Sequence, residues 1–258
     1  MLARLQELWA RRELVGTLAS RDLQVRYKGS VFGLLWSLMH PLVLAAVYLV
    51  AFRYVIRIQI PNYALFLLAG LLPWIFLASS LAVATTSVVD QGQLVKKLSF
   101  PREVLPIATV LSQFVHFAIG YLVVVPPLTA YSVGLRPTLL LVPVLMVLLA
   151  LFTCGLALAT ATAQVYLRDT RHLLDVALQI WFWLTPVVYS LELVPARYRP
   201  LFMLNPLAPF LTAFRDATLN MRVPPASQVI MLCLLSPAVF LGGYAVFLRG
   251  QRRFAEHL

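Results

Sequence analysis

The sequence predicts an all-α membrane protein with six transmembrane helices, an N-terminal amphipathic interface helix and re-entrant outer helices before the sixth span. Of the 258 residues, 61% are hydrophobic and only 12% are charged, and the mean hydropathy is +0.85. This composition has too little polar surface to cover a water-soluble globule. Apolar runs of about 20 residues, the length that crosses a bilayer, recur along the whole chain. They leave no room for a separate soluble domain.

Residues 1–30 are predicted to form a cytoplasmic interface helix, and the transmembrane domain covers 31–258. Along the first segment, apolar residues recur close to a helical period and most charged residues take the other faces. A helix of this kind lies on the membrane surface. Near its end stand Arg21, Asp22 and Arg26, whose charges suit anionic lipid headgroups or an acidic protein surface.

Six apolar segments follow, and we expect each to span the membrane. They cover 31–55, 63–88, 104–131, 138–165, 174–191 and 226–248. The fifth contains Pro186, which predicts a kink in that helix. The region at about 192–225 is proline-rich, and its apolar stretch LFMLNPLAPFLTAF is too short and too broken to span. We therefore predict one or two re-entrant or interfacial helices there, on the outer side.

The distribution of basic residues predicts that both chain ends are cytoplasmic. Cytoplasmic loops of membrane proteins carry an excess of Lys and Arg. With the N-terminus inside, two thirds of the 21 Lys and Arg residues fall on the cytoplasmic side. An even number of spans agrees with this assignment.

The sequence does not favour ion-coupled transport. Carriers driven by protons or sodium need ionisable groups in mid-membrane, whereas all ten acidic residues lie outside the predicted spans or at their ends. His40 and His116 fall inside spans, but neither has a second ligand at metal spacing. We interpret both as packed or water-contacting residues and predict no metal site. Cys154 and Cys233 lie in apolar segments as small packing residues.

The sequence also lacks a phosphate-binding loop for ATP. Such a loop needs a glycine before its lysine, and none of Lys28, Lys96 and Lys97 follows a glycine. We therefore predict no cofactor on this chain, so active transport would draw its energy from another chain. A net charge of +11 would suit a nucleic-acid partner, but the basic residues stand in short clusters between apolar runs, as membrane topology demands. No nucleic-acid partner is predicted.

The loop between the second and third spans allows two interpretations. It is either an ordinary positive-inside loop, which its charge alone favours, or a helix at about 91–100 that docks on a partner protein. The residues concerned combine apolar and basic side chains: Gln93, Leu94, Val95, Lys96, Lys97 and Leu98.

Four stretches of the sequence favour the second interpretation, a helix that docks on a partner protein. They read RDLQVRYKGSVFGLLWSLMHPL, LVKKLSFPREVLP, VYLRDTRHLLDVALQIWFWLTPVVYS and LNPLAPFLTAFRDATL. Together they resemble the permease subunit of ATP-binding-cassette exporters for polysaccharides and polyol phosphates, which include O-antigen and teichoic-acid exporters. The resemblance covers nearly the whole chain.

The resemblance implies a subunit of a bacterial inner-membrane exporter that pairs with itself and with two copies of an ATPase. The ATPase would bind ATP and Mg²⁺, and the complex would move a lipid-linked polysaccharide. The resemblance also implies that the loop after the second span is a coupling helix, and that residues of the interface helix contact the ATPase. It places the pore at the first and fifth spans.

Aromatic side chains are the candidates for a sugar path, because aromatic faces hold sugars weakly and let a chain slide. The predicted channel residues are Trp36, Tyr48, Trp74, Trp181, Phe182 and Tyr189. Core packing, or a membrane-interface anchor for Trp36, is the alternative role. On one continuous helix Trp181 and Tyr189 lie within about 80° of each other. Trp183 lies about 200° from Trp181 and is expected to face lipid or its own bundle.

Arg168, Asp169 and Arg171 end the fourth span on the cytoplasmic side. They form either a charged helix end with a weak local ion pair or, as the resemblance implies, part of the gate on the ATPase side.

Two other functions compete with polysaccharide export. A drug or small-molecule exporter permease of the same architecture would be expected to have a lateral pocket. A membrane-embedded glycosyl or phosphoalcohol transferase would need clustered Asp residues or other metal ligands at the membrane surface, and the acidic residues here are scattered.

Overall fold

A computed structural model describes residues 12–27, 35–93, 101–134, 136–199, 202 and 204–254. Within these ranges the chain is helical, and no strand occurs. The prediction of an all-α protein is therefore confirmed for the described part of the chain.

The helices are numbered here in chain order. They are α1 Arg12–Tyr27, α2 Leu35–Leu49, α3 Tyr63–Asp90, α4 Val104–Ser132, α5 Val142–Tyr166, α6 Thr170–Leu184, α7 Ala208–Thr218 and α8 Ala226–Gly250. A π-helical segment, Val50–Val55, extends α2. Short 3₁₀ turns at Pro137–Leu141, Leu191–Leu193 and Gln251–Arg253 precede α5, follow α6 and extend α8.

Five helical segments in the described residues are long and apolar enough to cross a membrane. They are Leu38–Val55, Tyr63–Asp90, Val104–Ser132, Pro137–Tyr166 and Ala226–Arg253. They confirm a multi-pass membrane protein and match five of the six predicted spans.

The predicted fifth span differs from the structure at both ends. Helix α6 has 15 residues and is about 22 Å long, shorter than the roughly 30 Å bilayer core. It ends at Leu184, because Pro186 disfavours the helical conformation of the residue before it, and Thr185 is extended with φ −102° and ψ 132°. The prediction that Pro186 kinks a continuous helix through 191 was wrong, since the proline lies beyond the end of the helix.

The core of the bundle is built around α3. Among the residues of its most apolar stretch 72% are buried, and α3 packs on both α4 and α5. Helices α5 and α8 lie backbone to backbone at Gly155 and Gly243, where a Cβ on either glycine would collide with the opposite backbone. Small residues allow such a close approach between membrane helices.

One end of the bundle collects the start of α4 and the ends of α5 and α8. Arg102 Nη1 donates to the Gln251 carbonyl at 2.6 Å. The Tyr166 hydroxyl donates to the Gly250 carbonyl at 2.7 Å. Helix α1 packs on α4.

The opposite end collects the start of α3 and the segment after α6. The Tyr63 hydroxyl donates to the Val188 carbonyl at 2.7 Å, and the Thr138 hydroxyl donates to the Ala217 carbonyl at 2.9 Å. Helix α6 begins beside the end of α5, and the chain reaches Tyr63 only at Val188, after the helix has ended. Helix α6 and the segment that follows it therefore run together from one end of the bundle to the other.

Candidate functional site

A cleft of about 480 Å³ lies where α2, α3 and α6 meet. Its lining residues are His40, Leu44, Tyr48, Trp74, Ile75, Ala78, Ser79, Leu178, Gln179, Phe182 and Trp183. On α2 the lining residues recur at every fourth position, so one face of that helix forms one wall. The predicted channel residues Tyr48, Trp74 and Phe182 all belong to this lining.

Aromatic rings on all three helices meet around Phe182. The Tyr48 ring stacks on the Phe182 ring with centroids 5.7 Å apart, and the Trp74 indole meets it edge-on at 5.4 Å. Offset-stacked and edge-to-face pairs are the favourable arrangements of aromatic side chains. The cluster therefore joins α2 and α6 to α3 and presents ring surfaces to the cleft.

Three polar side chains also line the cleft. They are His40 on α2, Ser79 on α3 and Gln179 on α6. No Asp, Glu, Lys or Arg occurs among the lining residues that the structure describes, and those described residues contain no cluster of metal ligands. The cleft thus combines ring faces with hydrogen-bonding groups and has no fixed charge to hold an ion.

Trp181 and Trp183 point in different directions, as their spacing predicts, but Trp183 is the one that lines the cleft. Trp183 is 51% exposed. The Trp181 indole Nε1–H instead donates to Asn205 Oδ1 at 2.9 Å, behind the cleft wall. It also meets the Trp74 ring edge-on, with centroids 6.1 Å apart. Trp181 therefore supports the aromatic cluster without lining the cleft.

Tyr189 lies beyond the end of α6, so the 80° angle expected from a continuous helix does not apply. Its hydroxyl donates to the Trp183 carbonyl at 2.5 Å, and its ring meets Phe202 edge-on. Tyr189 thus satisfies one of the carbonyls in the last turn of α6, which has no helical partner.

Arg215 on α7 is the one described arginine that is fully buried. Its Nη2 donates to the Val187 carbonyl at 2.7 Å and its Nε to the Phe66 carbonyl at 3.3 Å. The guanidinium carbon lies 3.6 Å from the centroid of the Phe66 ring. Burial lowers the pKa of this guanidinium from its ordinary value, but arginine keeps its proton in proteins. The charge is stabilised by the two carbonyls and the ring.

Comparisons with known proteins identify the family. The family model described as "ABC-2 type transporter" matches residues 13–219, which contain α1 to α7 and all three walls of the cleft. The chain belongs to the ABC-2 type transporter family. It is therefore a transport subunit and not an enzyme, and its family implies an ATP-binding-cassette ATPase as partner.

Curated relatives match the ABC-2 subunit over almost its whole length. An "O-antigen export system permease protein RfbA" from Klebsiella pneumoniae is 33% identical over 249 residues, 95% of each chain. A protein of the same name from Myxococcus xanthus is 30% identical over 262 residues, 100% of each chain.

The residues expected to contact the ATPase are only partly described in this ABC-2 subunit. Gln93 is exposed shortly after the end of α3, and Arg21 is exposed on α1. The other residues of the expected coupling helix, Leu94, Val95, Lys96, Lys97 and Leu98, lie outside the described residues. Asp22 and Arg26 belong to α1 and Trp36 to α2, but their side chains lie outside the described part. Their contacts with partner or substrate stay predictions.

The predicted gate residues form the turn between α5 and α6 of the ABC-2 subunit. Arg168 and Asp169 are exposed, and Arg171 pairs with Asp175 at 3.1 Å on the surface of α6. Gln164 fixes the turn, since its Nε2 donates to the Arg168 carbonyl at 2.9 Å and its Oε1 accepts from the Arg171 amide at 2.8 Å. Sequence reasoning did not single out Gln164.

Proposed function

We propose that this chain is the transmembrane subunit of an ATP-driven exporter that moves a lipid-linked polysaccharide, of the O-antigen or teichoic-acid type, across the bacterial inner membrane. The single observation that carries the proposal is the match over 95% or more of both chains to proteins named as O-antigen export permeases in two bacteria. The family alone gives transport, and these names give the class of cargo.

The chemistry of the cleft supports a sugar cargo. Tyr48, Phe182 and Trp183 offer ring faces, and apolar C–H surfaces of sugars pack on such faces. His40 and Gln179 offer hydrogen bonds to hydroxyl groups. Because the lining carries no fixed charge, passing sugar units would be held weakly, as a moving chain requires.

The proposed topology has six spans with both ends inside. Helix α6 together with the segment after it, up to Val188, supplies the sixth crossing, which the contacts of Arg171 at one bundle end and of Val188 at the other support. The excess of Lys and Arg in the loops at the end that holds Arg102 and Gly250 supports a cytoplasmic position for that end. In this arrangement α7 lies on the outer side as a re-entrant or interfacial helix, and α1 lies on the inner surface.

The proposed complex contains two copies of this chain and two copies of the ATPase. ATP and Mg²⁺ bind the ATPase, and this chain carries no cofactor. The loop at 91–100 docks on the ATPase, with help from Arg21, Asp22 and Arg26. The position of the loop between α3 and α4, at the end where α5 and α8 also finish, supports this role.

Reconstitution with its ATPase tests the proposal. The co-purified complex in liposomes should hydrolyse ATP faster when a lipid-linked glycan is present, and it should move that glycan across the bilayer. The subunit alone should not hydrolyse ATP. An unchanged ATP turnover with a panel of lipid-linked glycans, together with no glycan movement, would contradict the proposed cargo.

A drug or small-molecule exporter is the second candidate, because the cleft volume of about 480 Å³ falls within the range of small-molecule sites. The same liposomes distinguish the two candidates. Stimulation of ATP turnover by apolar drugs and not by lipid-linked glycans would favour the drug exporter.

A further inference from the structure

The end of α6 is held by side chains that come from one short segment, 205–215. Helix α6 stops before Pro186, so the carbonyls of Trp183 and Leu184 accept no described backbone hydrogen bond, although the Phe182 carbonyl accepts one from the Thr185 amide. Asn205 and Arg215 stand at the two ends of the short segment and reach the residues immediately before and after the proline. We call this pair of residues the α7 clamp.

Asn205 makes three of its four side-chain hydrogen bonds to the α6 end. Its Nδ2 donates to the Leu184 carbonyl at 3.1 Å and to Thr185 Oγ1 at 2.7 Å. Its Oδ1 accepts from Trp181 Nε1 at 2.9 Å and from the Leu207 amide at 3.0 Å. An amide offers two donors and two acceptor lone pairs. All four positions are occupied, so the amide has one orientation that satisfies every bond.

Arg215 joins the chain just after the proline to α3. Its guanidinium bonds the Val187 carbonyl on one side and the Phe66 carbonyl on the other. The acidic neighbour Asp216 is paired with Arg222, at 2.8 Å, and not with Arg215. A buried arginine whose described hydrogen bonds go to backbone carbonyls of two different elements serves to fix the distance between them.

Gly70 on α3 gives the guanidinium its space. A Cβ on Gly70 would lie 2.7 Å from Arg215 Nη2 and 3.2 Å from the Val187 carbonyl oxygen. Real Cβ contacts are longer than the first of these distances. Helix α3 is therefore shaped at this residue to receive the arginine.

We propose that Asn205 and Arg215 are positioning residues that set the distance between α6 and α3, and with it the width of the cleft open to the transported chain. Phe182 and Trp183 form the α6 wall and lie within one turn of the clamped end, whereas Trp74 forms the facing wall on α3. Asn205 lies just before α7, and Arg215 belongs to it. A shift of α7 therefore displaces the α6 wall. Only the expected effect on glycan export rests on the proposed function. The expected effect on the spacing of α3 and α6 does not.

The first test replaces Gly70, since loss of the buried arginine itself could prevent folding. Gly70→Ala should move the guanidinium and change the spacing of α3 and α6, while Gly242→Ala is the matched control because a Cβ there meets nothing within 4 Å. Spacing is measured with thiol cross-linkers of graded length between Ile75→Cys and Gln179→Cys, which line the cleft from α3 and α6, after Cys154 and Cys233 are replaced by serine.

The expected result has three parts. Gly70→Ala changes the cross-linker length that reacts best and lowers glycan export at least fivefold. Basal ATP turnover of the complex stays within twofold of the parent, and Gly242→Ala matches the parent in all respects. Unchanged cross-linking with Gly70→Ala would overturn the proposal, whether or not the protein melts earlier, because a merely structural role predicts lower stability without a change of spacing.

Arg215→Lys supplies a second, independent test. It keeps the positive charge, but a single ammonium group lacks the planar fork that reaches two carbonyls. The variant should show the altered spacing of Gly70→Ala, and the two changes combined should not add, since each disturbs the same contact. Full additivity, or a normal spacing with lysine, would overturn the proposal. Altered spacing in a complex that moves no glycan would overturn the proposed function and leave the clamp intact.

Discussion

Helices α3 and α2 are both apolar spans with an internal proline, but their surroundings differ sharply. In the most apolar stretch of α3 72% of the residues are buried, against 11% in α2. Pro73 of α3 and Pro41 of α2 both stay within their helices. This difference in burial makes α3 the fixed wall of the cleft. Helix α2 is a peripheral wall, which contacts α3 through one face of aromatic and aliphatic side chains.

Helix α6, like α2, has few buried residues. Only Leu178 and Phe182 of α6 are buried, and most of the other residues are exposed. A cleft between one scaffold helix and two peripheral helices can change width without unfolding the core. Substitutions in the packed core away from the cleft should therefore act on stability, and substitutions of residues that line the peripheral walls of the cleft should act on transport.

The largest effect is expected outside the cleft, at the contact between α5 and α8. Gly243→Ala would place a Cβ against the backbone at Gly155, where no flexible side chain can yield. We expect a loss of about 3 kcal/mol or more in the free energy of unfolding, at the upper end for overpacked cores. Yield of monodisperse protein and thermal unfolding measure it, with Gly242→Ala as control. A stable Gly243→Ala protein would show that the α5–α8 contact is not rigid.

A smaller effect, on transport, is expected at Trp183. Trp183→Ala removes a ring from the α6 wall that is 51% exposed, so stability should change little. Loss of one aromatic contact of about 1.5 kcal/mol predicts roughly tenfold slower glycan export. Ile180→Ala is the matched control, because Ile180 is exposed on the same helix but does not line the cleft.

Trp181→Phe tests the aromatic residue of α6 that does not line the cleft. It deletes the hydrogen bond to Asn205 and should cost about 1 kcal/mol of stability, with export falling in step with the amount of folded protein. The opposite pattern, in which Trp181 governs export and Trp183 governs stability, is what the helical-angle argument from sequence predicts. It would show that the cleft described here is not the transport path.

A more modest effect is expected at the polar part of the cleft. Gln179→Leu keeps the side-chain volume but removes the hydrogen-bonding amide, worth about 1 kcal/mol or roughly fivefold in export. The exposed Gln59, which lies in the loop between α2 and α3, provides the control Gln59→Leu. Faster export with Gln179→Leu would mean that this amide slows the moving chain.

The smallest effect is expected at the turn between α5 and α6. The Arg171–Asp175 pair is partly exposed, and such i, i+4 pairs contribute only about 0.3 kcal/mol. Arg171→Ala should leave both thermal unfolding and export close to the parent. A loss of export with normal ATP turnover would instead assign Arg171 to the gate, as the family resemblance implies.

Much of the fold follows from the sequence, because long apolar runs and loop charges are local signals. Five of the spans are confirmed on that basis. The end of α6 was mispredicted, since sequence alone does not show whether a proline kinks a helix or ends it. Pro41, Pro73 and Pro237 lie inside helices. Before Pro186 the helix ends, and the side chains of Asn205 and Tyr189 donate to carbonyls of its last turn in place of backbone amides.

The cleft was predictable in part. Helical spacing alone puts Gln179 and Trp183 on one face of α6, and His40, Leu44 and Tyr48 on one face of α2, so the sequence held that signal. Asn205 and Arg215 offered no such signal. Arg215 bonds Phe66 across 149 positions of the chain, and pairing at such a separation depends on the packing of three elements.

Photo-cross-linking of the stalled exporter tests the central claim most directly, which is that the cleft between α2, α3 and α6 is the transport path. A photoreactive residue replaces Trp183 in one variant and the exposed Ile230 of α8 in another, each assembled with an ATPase that binds but does not hydrolyse ATP and loaded with a labelled lipid-linked glycan. We expect the glycan to become attached to the protein from position 183 and not from position 230. Attachment from position 230 with none from position 183 would contradict it.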